Sequence, residues 1–329
     1  MRSTDNMDRT SPSSPAPHPA PRPPRRPPGW VPPGPPGGHG PYTLGPDEDL
    51  GYLLGDWRIL QRKDGHRWSL DDLLTAWLAR RVAAPDARRL LDLGTGIGSV
   101  AAMLAWCFPE AEVTGVEAQE LSIGLARRTA VVNQVEGRMH YLHADLRTVF
   151  KPSAPLLPEH AWDLVTGTPP YFTDPAQTRS SAVQKGPCRF EERGGIGDYL
   201  AAMQRALRPG GRAVVCHASR QRDRVLDAVQ HHGFTVDIAV QAIPKVGREP
   251  LVDVLALSRG ASAGSLAPPG LVRGVPAGSL APPGLVRGAP AGSLAPPSFE
   301  SLVVRDAADQ WTPEMLSVRL SMGMPPRPT

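Results

Sequence analysis

The sequence has few cysteines, and their spacing does not suit a shared task. The three are Cys107, Cys188 and Cys216, and no Cys-x-x-Cys pair occurs among them. An odd number without metal-ligand spacing argues against both a disulfide framework and a zinc site. We therefore expect a protein of a reducing compartment that binds no metal.

Long apolar stretches are also missing from the sequence. No run approaches the roughly 18 residues of a membrane-spanning helix, and the first residues lack the apolar core of a secretion signal. These absences predict a soluble, cytoplasmic protein. The working expectation for its oligomeric state is a monomer.

Charge is scarce in the part of the chain that can fold. The formal net charge is +4, and within residues 1–42 five arginines against two aspartates account for +3 of it. Residues 43–329 are therefore nearly neutral. Because the high isoelectric point comes mostly from a tail, it is no evidence that the folded part binds nucleic acid.

Two segments have too few aliphatic side chains to form a core. Residues 1–42 are rich in Pro, Ser, Gly and Arg and predict a disordered or polyproline tail. An alternative role for residues 21–28, PRPPRRPP, is a ligand for proline-binding domains. Residues 261–298 hold two and a half copies of a 14-residue unit, AGSLAPPGLVRG followed by VP or AP. So few copies cannot stack into a solenoid, and a flexible surface loop is predicted.

Between these segments, strands alternate with helices of ten or more residues. This alternation predicts an α/β fold in residues 43–260, a Rossmann-like, mostly parallel, doubly wound sheet of seven strands. The seven strands are predicted at 90–93, 113–117, 139–143, 163–166, 212–217, 235–242 and 252–257, and the helices at 71–82, 99–108, 120–134, 197–207 and 220–231. A hairpin is predicted from 57–61 and 65–69. The C-terminal extension, 299–329, predicts a strand at 301–304 and a helix with Thr312 as its cap and Pro313 in its first turn.

A glycine-rich turn follows the first strand of the predicted sheet. Residues 90–100 read LLDLGTGIGSV, so Asp92 is followed by Gly94, Thr95, Gly96 and Gly98 and then by an apolar helix. Glycines suit a tight turn whose backbone touches a ligand beside a helix N-terminus. The turn therefore predicts a cofactor site at the carboxyl end of this strand.

Two further carboxylates strengthen this prediction. Glu117 ends the second strand and can accept hydrogen bonds from both hydroxyls of a ribose. Asp145 follows the third strand and can accept from an adenine amine. A dehydrogenase would share the acid and the glycines, but its fingerprint requires Gly or Ala at Ser99. The GxGxG spacing found here resembles the methyltransferase pattern, and S-adenosylmethionine is then the expected cofactor.

A second motif, GTPPYF at residues 167–172, follows the fourth strand. It resembles the (Asn/Asp/Ser)-Pro-Pro-(Tyr/Phe) motif of amino-group methyltransferases. Pro169 and Pro170 rigidify the turn and remove two backbone donors, which leaves carbonyl acceptors for an amine. Tyr171 can stack on a flipped base, and Phe172 can extend that wall. With Thr168 as its first residue, this segment is the predicted catalytic site.

Taken together, residues 50–260 resemble the bacterial tRNA1(Val) adenine-37 N6-methyltransferase family. The resemblance rests on WRILQRKDGHRWS, LDDLLTAWLA, DLGTGIGS, GVEAQ, HADL, TPPYF and CRFEE, and on LVVRD near the C-terminus. It implies a class I methyltransferase fold, S-adenosylmethionine as cofactor, and RNA, specifically tRNA, as partner. It also implies that Asp71 helps to hold the cofactor and that Arg189 and Glu191 lie near the target. Members of the same superfamily methylate guanine N2 in ribosomal RNA or glutamine in release factors.

One residue departs from the pattern of this family. The first motif residue is normally Asn, and here it is Thr168. Asn offers a planar carbonyl acceptor, whereas Thr offers a shorter hydroxyl that must turn its own proton elsewhere. Three hypotheses therefore stay open: an RNA adenine N6-methyltransferase, a protein glutamine or small-molecule methyltransferase, and a catalytically impaired module that binds the cofactor or RNA.

Overall fold

The computed structural model describes residues 27, 29–171, 194–259 and 297–326. Within these ranges the chain forms a two-stranded hairpin and an eight-stranded sheet with flanking helices. The strands are β1 (Glu48–Tyr52), β2 (Arg58–Arg62), β3 (Arg89–Leu93), β4 (Glu112–Glu117), β5 (Met139–His143), β6 (Trp162–Gly167), β7 (Leu207–Ala218), β8 (Phe234–Ile243), β9 (Val252–Arg259) and β10 (Phe299–Val303). The helices are α1 (Leu70–Val82), α2 (Ser99–Cys107), α3 (Glu120–Val132), α4 (Ile196–Ala206), α5 (Arg222–His231) and α6 (Pro313–Ser321).

The large sheet has the order β10-β8-β9-β7-β6-β3-β4-β5. Every neighbouring pair is parallel except those that involve β9, which runs antiparallel to β7 and β8. The predicted mostly parallel, Rossmann-like α/β fold is therefore confirmed. The predicted number of strands is wrong by one, because β10 of the C-terminal extension pairs with the open edge of β8.

The strand order reverses beside β3. The chain continues from β3 to β4 and β5 on one side, and then crosses to β6 and β7 on the other. Helices that follow β3 and β6 leave in different directions from such a point, which opens a crevice at the carboxyl ends of the strands. Parallel pairing sets Asp92 beside Thr166 and Leu93 beside Gly167 at this edge.

The hairpin differs from the prediction in its partner strand. β2 lies at the predicted position, but it pairs with β1, which precedes it, in a register that sets Leu50 opposite Leu60. Residues 66–69 are not a strand and lead directly into α1. Both candidate partners of β2 are short, so only packing decides between them. β2 lies on α3, where Thr129 and Asn133 accept hydrogen bonds from the N–H groups of Leu60 and Arg58.

The helix α4 and the strand after it also differ from the prediction. Pro209 and Gly210 are predicted to end the helix, but α4 already ends at Ala206 and β7 begins at the next residue. The Pro-Gly-Gly segment lies inside β7 as an irregularity, where pairing with β6 shifts and Gly210 has a φ of +79°. The C-terminal helix matches its prediction, since the Thr312 hydroxyl accepts from the N–H of Met315 and Pro313 is its first residue.

Part of the predicted tail lies against the domain. The N–H of Gly40 donates to the carbonyl of Val132 at 2.8 Å. The indole of Trp57 donates to the carbonyls of Pro35 and Pro36, each at 3.1 Å. Residues 29–42 are thus a strap along the hairpin and the end of α3. Residues 1–26 and the repeats at 261–296 lie outside the described residues, as does the possible proline-domain ligand apart from Pro27.

Substitution by alanine is expected to lower the stability of the protein at one glycine and to raise it at another. A Cβ on Gly40 would lie 2.2 Å from the carbonyl oxygen of Val131, a backbone atom that cannot turn away. Gly40→Ala should therefore lower the free energy of unfolding by about 1–3 kcal/mol. Gly124 lies inside α3 with no atom within 4 Å of the added Cβ. Gly124→Ala should raise stability by about 0.5–1 kcal/mol. Urea titrations of both variants test the pair, and equal effects would contradict it.

No helix in the described ranges is long and apolar enough to cross a membrane.

Candidate active site

A cavity of about 580 Å³ opens at the carboxyl ends of the central strands. It is lined by the turn after β3, the end of β4, the start of α1 and the segment after β6. The predicted site residues that line it are Asp71, Asp92, Gly94, Thr95, Gly96, Glu117, Thr168, Pro169, Pro170 and Tyr171. The structure therefore brings together the glycine-rich turn and the TPPY segment, which are about 70 residues apart in sequence.

The three glycines of the turn have different surroundings, although all have positive φ. A Cβ on Gly94 would meet the Tyr199 hydroxyl at 1.9 Å. A Cβ on Gly98 would meet the Tyr141 hydroxyl at 2.7 Å and the Ala126 Cβ at 2.9 Å. At Gly96 the nearest atom would be in the His66 ring, 3.9 Å away, so this side of Gly96 faces the cavity. Gly96 therefore provides backbone access to a ligand, whereas Gly94 and Gly98 allow close packing.

Asp92 is buried below the turn. Its two carboxylate oxygens accept hydrogen bonds from the hydroxyls of Thr95, at 2.6 Å, and Thr166, at 2.7 Å. Burial raises the pKa of Asp92 from 3.8 to about 6, although these hydroxyls oppose the shift. The carboxylate thus ties the turn to β6 and, when ionised, places a negative charge next to the cavity.

The ionisation of Asp92 should make binding of the predicted cationic cofactor depend on pH. Above pH 6 the carboxylate is charged and attracts a sulfonium cation, and this attraction should be lost as the pH falls through about 6.

The contribution of Asp92 to folding stability depends on pH in the opposite direction. Its folded-state pKa is raised, so the folded form binds the proton more tightly, and unfolding becomes harder as pH falls from about 6 towards 3.8.

Calorimetric titration of S-adenosylmethionine between pH 5 and pH 8 measures the effect on binding. Asp92→Asn keeps the shape of the side chain but cannot titrate, so its dissociation constant should lack the change near pH 6 that the wild-type protein shows. If the wild-type protein and Asp92→Asn showed the same pH profile, another group would be responsible.

Glu117 ends β4 at the opposite wall. Its carboxylate accepts from the N–H groups of Gly96, at 2.9 Å, and Gln119, at 2.7 Å. Each carboxylate oxygen has a second lone pair, so these bonds orient the group and leave acceptor capacity towards the cavity. This geometry suits the ribose-binding role predicted for Glu117.

Asp145 and Gly98 do not line the cavity, although they are predicted cofactor residues. The carboxylate of Asp145 pairs with the guanidinium of Arg147 at 2.5 Å. Its neighbours Ala144 and Leu146 do line the cavity. The sequence places Asp145 at the correct strand end, but only the tertiary structure shows its pairing with Arg147.

The start of α1 supplies two adjacent carboxylates. Asp71 accepts from the hydroxyls of Ser69 and Tyr171, the latter at 2.9 Å. Asp72 is buried, accepts from the N–H of Ser69 at 2.8 Å and is hydrogen-bonded to the Ser99 side chain. Burial first, and then the nearby charge of Asp71, raises the pKa of Asp72 well above its usual value. Asp72 thereby links the start of α1 to the start of α2.

The TPPY segment leaves β6 at the rim of the cavity. Pro169 and Pro170 are buried, while Thr168 and Tyr171 are half-buried. The carbonyl of Tyr171 accepts from the Gln221 amide at 2.5 Å, which fixes the backbone on the far side. Phe172, Arg189 and Glu191, which are predicted to lie near the target, are outside the described residues.

Several lining residues were not predicted from the sequence. Those with polar side chains include His66, Arg67, Asp72, Ser99, Gln119 and Tyr199. Asp72 had a local signal, because Ser-x-x-Asp at 69–72 forms the capping box of α1. Tyr199 had none, since nothing in α4 indicates that its ring reaches the turn after β3.

The residues that line the cavity fit S-adenosylmethionine, the cofactor expected from the sequence. The cofactor carries a sulfonium and an amine, both cationic, together with ribose hydroxyls. Asp72, Asp92 and Glu117 supply acidic side chains to the cavity, and Gly96 leaves open the space that a Cβ would fill. The volume lies within the roughly 300–1,000 Å³ typical of small-molecule sites.

Comparisons with known proteins agree with this site. Residues 66–185 match the family model of the methyltransferase small domain. A tRNA1(Val) (adenine(37)-N6)-methyltransferase of Pedobacter heparinus is 28% identical over 155 residues, which cover 47% of this chain and 62% of that protein. A release factor glutamine methyltransferase of Bordetella pertussis is 31% identical over 206 residues, which cover 59% of this chain and 69% of that protein. The chain spans between 54% and 62% of the length of four tRNA1(Val) relatives.

A solved structure supports the fold. The crystal structure of a predicted O-methyltransferase from Agrobacterium tumefaciens superposes with a TM-score of 0.53 at 18% identity, covering 79% of this chain and all of that one. Together with the sequence matches, it confirms the class I methyltransferase fold and the resemblance that the motifs predicted. The chain belongs to the methyltransferase small domain family of S-adenosylmethionine-dependent methyltransferases, with relatives among both the tRNA1(Val) adenine-37 and the release factor glutamine enzymes.

Proposed function

We propose that this protein is an N-methyltransferase that uses S-adenosylmethionine to methylate N6 of an adenine in RNA, specifically in tRNA. The observation that carries the proposal is the position of residues 168–171. They line the same cavity as the glycine-rich turn and the carboxylate of Glu117. An acceptor-rich proline turn and a glycine-rich turn suited to a nucleoside thus face one cavity.

The cofactor half of the cavity would be formed by the turn and its carboxylates. Glu117 would accept from the ribose hydroxyls, Gly96 would offer its backbone, and Asp92 would attract the cationic end. When bound, S-adenosylmethionine supplies an electrophilic methyl group. The protein contributes orientation and negative charge, and no metal is required for this chemistry.

The target half would be formed by the TPPY segment. The lone pair of an adenine amine is delocalised into its ring, so the amine is a weak nucleophile. Hydrogen bonds from the amine to the Pro169 carbonyl and to an acceptor at Thr168 would draw it towards a tetrahedral, nucleophilic geometry. Preorganised groups of this kind stabilise charge that develops in the transition state. Tyr171 would stack on the adenine, worth about 1–3 kcal/mol per base.

Adenine in tRNA is favoured by the names of several relatives. Proteins from Pedobacter heparinus, Porphyromonas gingivalis and Bacteroides thetaiotaomicron that match this chain are tRNA1(Val) adenine-37 N6-methyltransferases. Because residues 43–329 are nearly neutral overall, RNA would contact local basic residues at the rim of the cavity. Arg67, which lines the cavity and precedes α1, is positioned for this role.

A second candidate substrate is a glutamine side chain in a protein. It is favoured by the release factor glutamine methyltransferase of Bordetella pertussis, which matches over a longer stretch than the Pedobacter relative. An amide nitrogen is also planar and delocalised, so it needs the same acceptors as adenine N6. The proline turn by itself is compatible with both amines.

The test combines the purified protein with labelled S-adenosylmethionine and either total RNA lacking the modification or release factors. Digestion of the RNA to nucleosides and of the proteins to peptides locates the label. We expect label in N6-methyladenosine and none in glutamine. Label only in glutamine would establish the second candidate, and cofactor binding without transfer to either would overturn both.

A further inference from the structure

Tyr171 is attached to the start of α1 by one side chain. Its hydroxyl donates to Oδ2 of Asp71 at 2.9 Å, across a sequence separation of 100 residues. The other oxygen of Asp71, Oδ1, accepts from the hydroxyl of Ser69. Both oxygens of Asp71 thus accept from protein hydroxyls at the edge of the cavity, and one of these hydroxyls belongs to the TPPY segment.

Among the polar contacts of the Tyr171 hydroxyl, the bond to Asp71 is the strongest. The next polar atom is Sγ of Cys216, at 3.6 Å, and sulfur is a weak partner. The ring of His217 lies 5.2 Å from the Tyr171 ring at an angle of 55°, so it is tilted and does not stack on it. Hydrogen bonds to charged groups are roughly twice as strong as neutral ones. The carboxylate of Asp71 therefore holds the hydroxyl end of the ring, which also packs against the core.

The helix that carries Asp71 is itself firmly placed. The backbone carbonyl of Asp71 accepts from the Thr75 hydroxyl at 2.7 Å, and residues 72–79 of α1 are all buried. The backbone of Tyr171 is held separately by Gln221. Helix α1 thus holds the hydroxyl end of the Tyr171 ring, while Gln221 holds the backbone from which the ring extends.

We infer that Asp71 is a positioning residue that orients the Tyr171 ring for the target, and that it is not a ligand of the cofactor. This inference rests on the proposed function, in which the Tyr171 ring stacks on the methyl acceptor. It replaces the role in holding the cofactor that the family resemblance implies for Asp71. Its neighbour Asp72, whose bonds run to Ser69 and Ser99 beside the glycine turn, is placed nearer the cofactor side.

A double-mutant cycle separates the two roles of Asp71. Asp71→Ala and Tyr171→Phe each remove the same hydrogen bond, one from either end, and Tyr171→Phe keeps the ring. We expect each to lower kcat/KM for the acceptor by about tenfold, the loss of a hydrogen bond to a charged group. The kcat/KM of the double variant should be no lower than that of the less active single variant. The dissociation constant of S-adenosylmethionine should change less than about twofold in all three.

Two further variants complete the design. Asp71→Asn keeps a neutral acceptor for the Tyr171 hydroxyl, so it should recover part of the kcat/KM that Asp71→Ala loses. Asp237→Ala is the control, because it removes a carboxylate that accepts from the Ser258 hydroxyl at 2.8 Å and pairs with Arg212 at 3.6 Å, on strands away from the cavity. It should lower the melting temperature by a similar amount and leave the acceptor kinetics unchanged.

The cofactor measurement decides the inference even if no acceptor is methylated. A dissociation constant weakened tenfold or more by Asp71→Ala, and not by Tyr171→Phe, would overturn it. In a protein without transferase activity, unchanged cofactor binding with equal melting temperatures for the double variant and the less stable single variant would support only the coupling of Asp71 to Tyr171 and the absence of a cofactor role. The absence of methyl transfer would refute the proposed function separately. Additive losses in kcat/KM would also overturn the inference.

Discussion

Replacing Thr168 with Asn is expected to raise the rate constant for methyl transfer to adenine N6 by about 10²-fold. Thr168 is half-buried at the rim of the cavity, where an amine held by the Pro169 carbonyl would need a second acceptor. The threonine hydroxyl is both donor and acceptor and is about a bond shorter than the asparagine carbonyl. A planar carbonyl at this position would meet the amine without a competing proton.

Single-turnover kinetics at saturating S-adenosylmethionine measure this effect on the chemical step. Thr168→Val is the matched control, since it keeps the branched shape and removes the hydroxyl. It should lower the rate if that hydroxyl serves as an acceptor in the natural protein. A slower Thr168→Asn enzyme together with an unchanged Thr168→Val enzyme would mean that residue 168 does not contact the amine.

Placing a leucine at Gly96 is expected to weaken S-adenosylmethionine binding by about 10²-fold. A side chain here would enter the cavity, because the nearest atom to an added Cβ is 3.9 Å away in the ring of His66. It would also occupy the backbone position that the cofactor approaches. The positive φ of 56° adds strain of about 1–2 kcal/mol to the folded state.

Gly210→Leu separates these two effects. Gly210 has a comparable φ of +79° and no atom within 4 Å of an added Cβ, and it lies at the amino end of β7, away from the cavity. Both variants should lose similar stability in urea unfolding, but only Gly96→Leu should lose binding in calorimetry. Equal binding by both would show that Gly96 does not face the cofactor.

Much of the fold could be predicted because its signals are local. The spacing of apolar residues shows where strands alternate with helices. This alternation predicts a parallel sheet, because parallel strands need long crossover connections. The cap at Thr312 and Pro313 depends on neighbouring atoms only, so it was predicted correctly. The position of Glu117 at a strand end also follows from local pattern.

Features that depend on a partner far away in the chain could not be predicted. β2 has two candidate neighbours of similar length, and packing on α3 selects β1. The eighth strand arises because β8 presents an open edge to β10. The Pro-rich composition of the strap at residues 29–42 predicts a solvated tail, yet the Trp57 indole donates to its carbonyls.

The sequence by itself determined the parallel α/β sheet, the glycine-rich turn and the proline turn, because each depends on the residue types of one short segment. Only the tertiary structure decided that Gly96 faces the cavity while Gly94 and Gly98 pack against tyrosines, since three identical residues differ solely in their neighbours. It also decided that Asp145 pairs with Arg147 and that Asp71 holds Tyr171. The partners of a carboxylate are set by where the sheet brings distant segments together, and no local pattern records that.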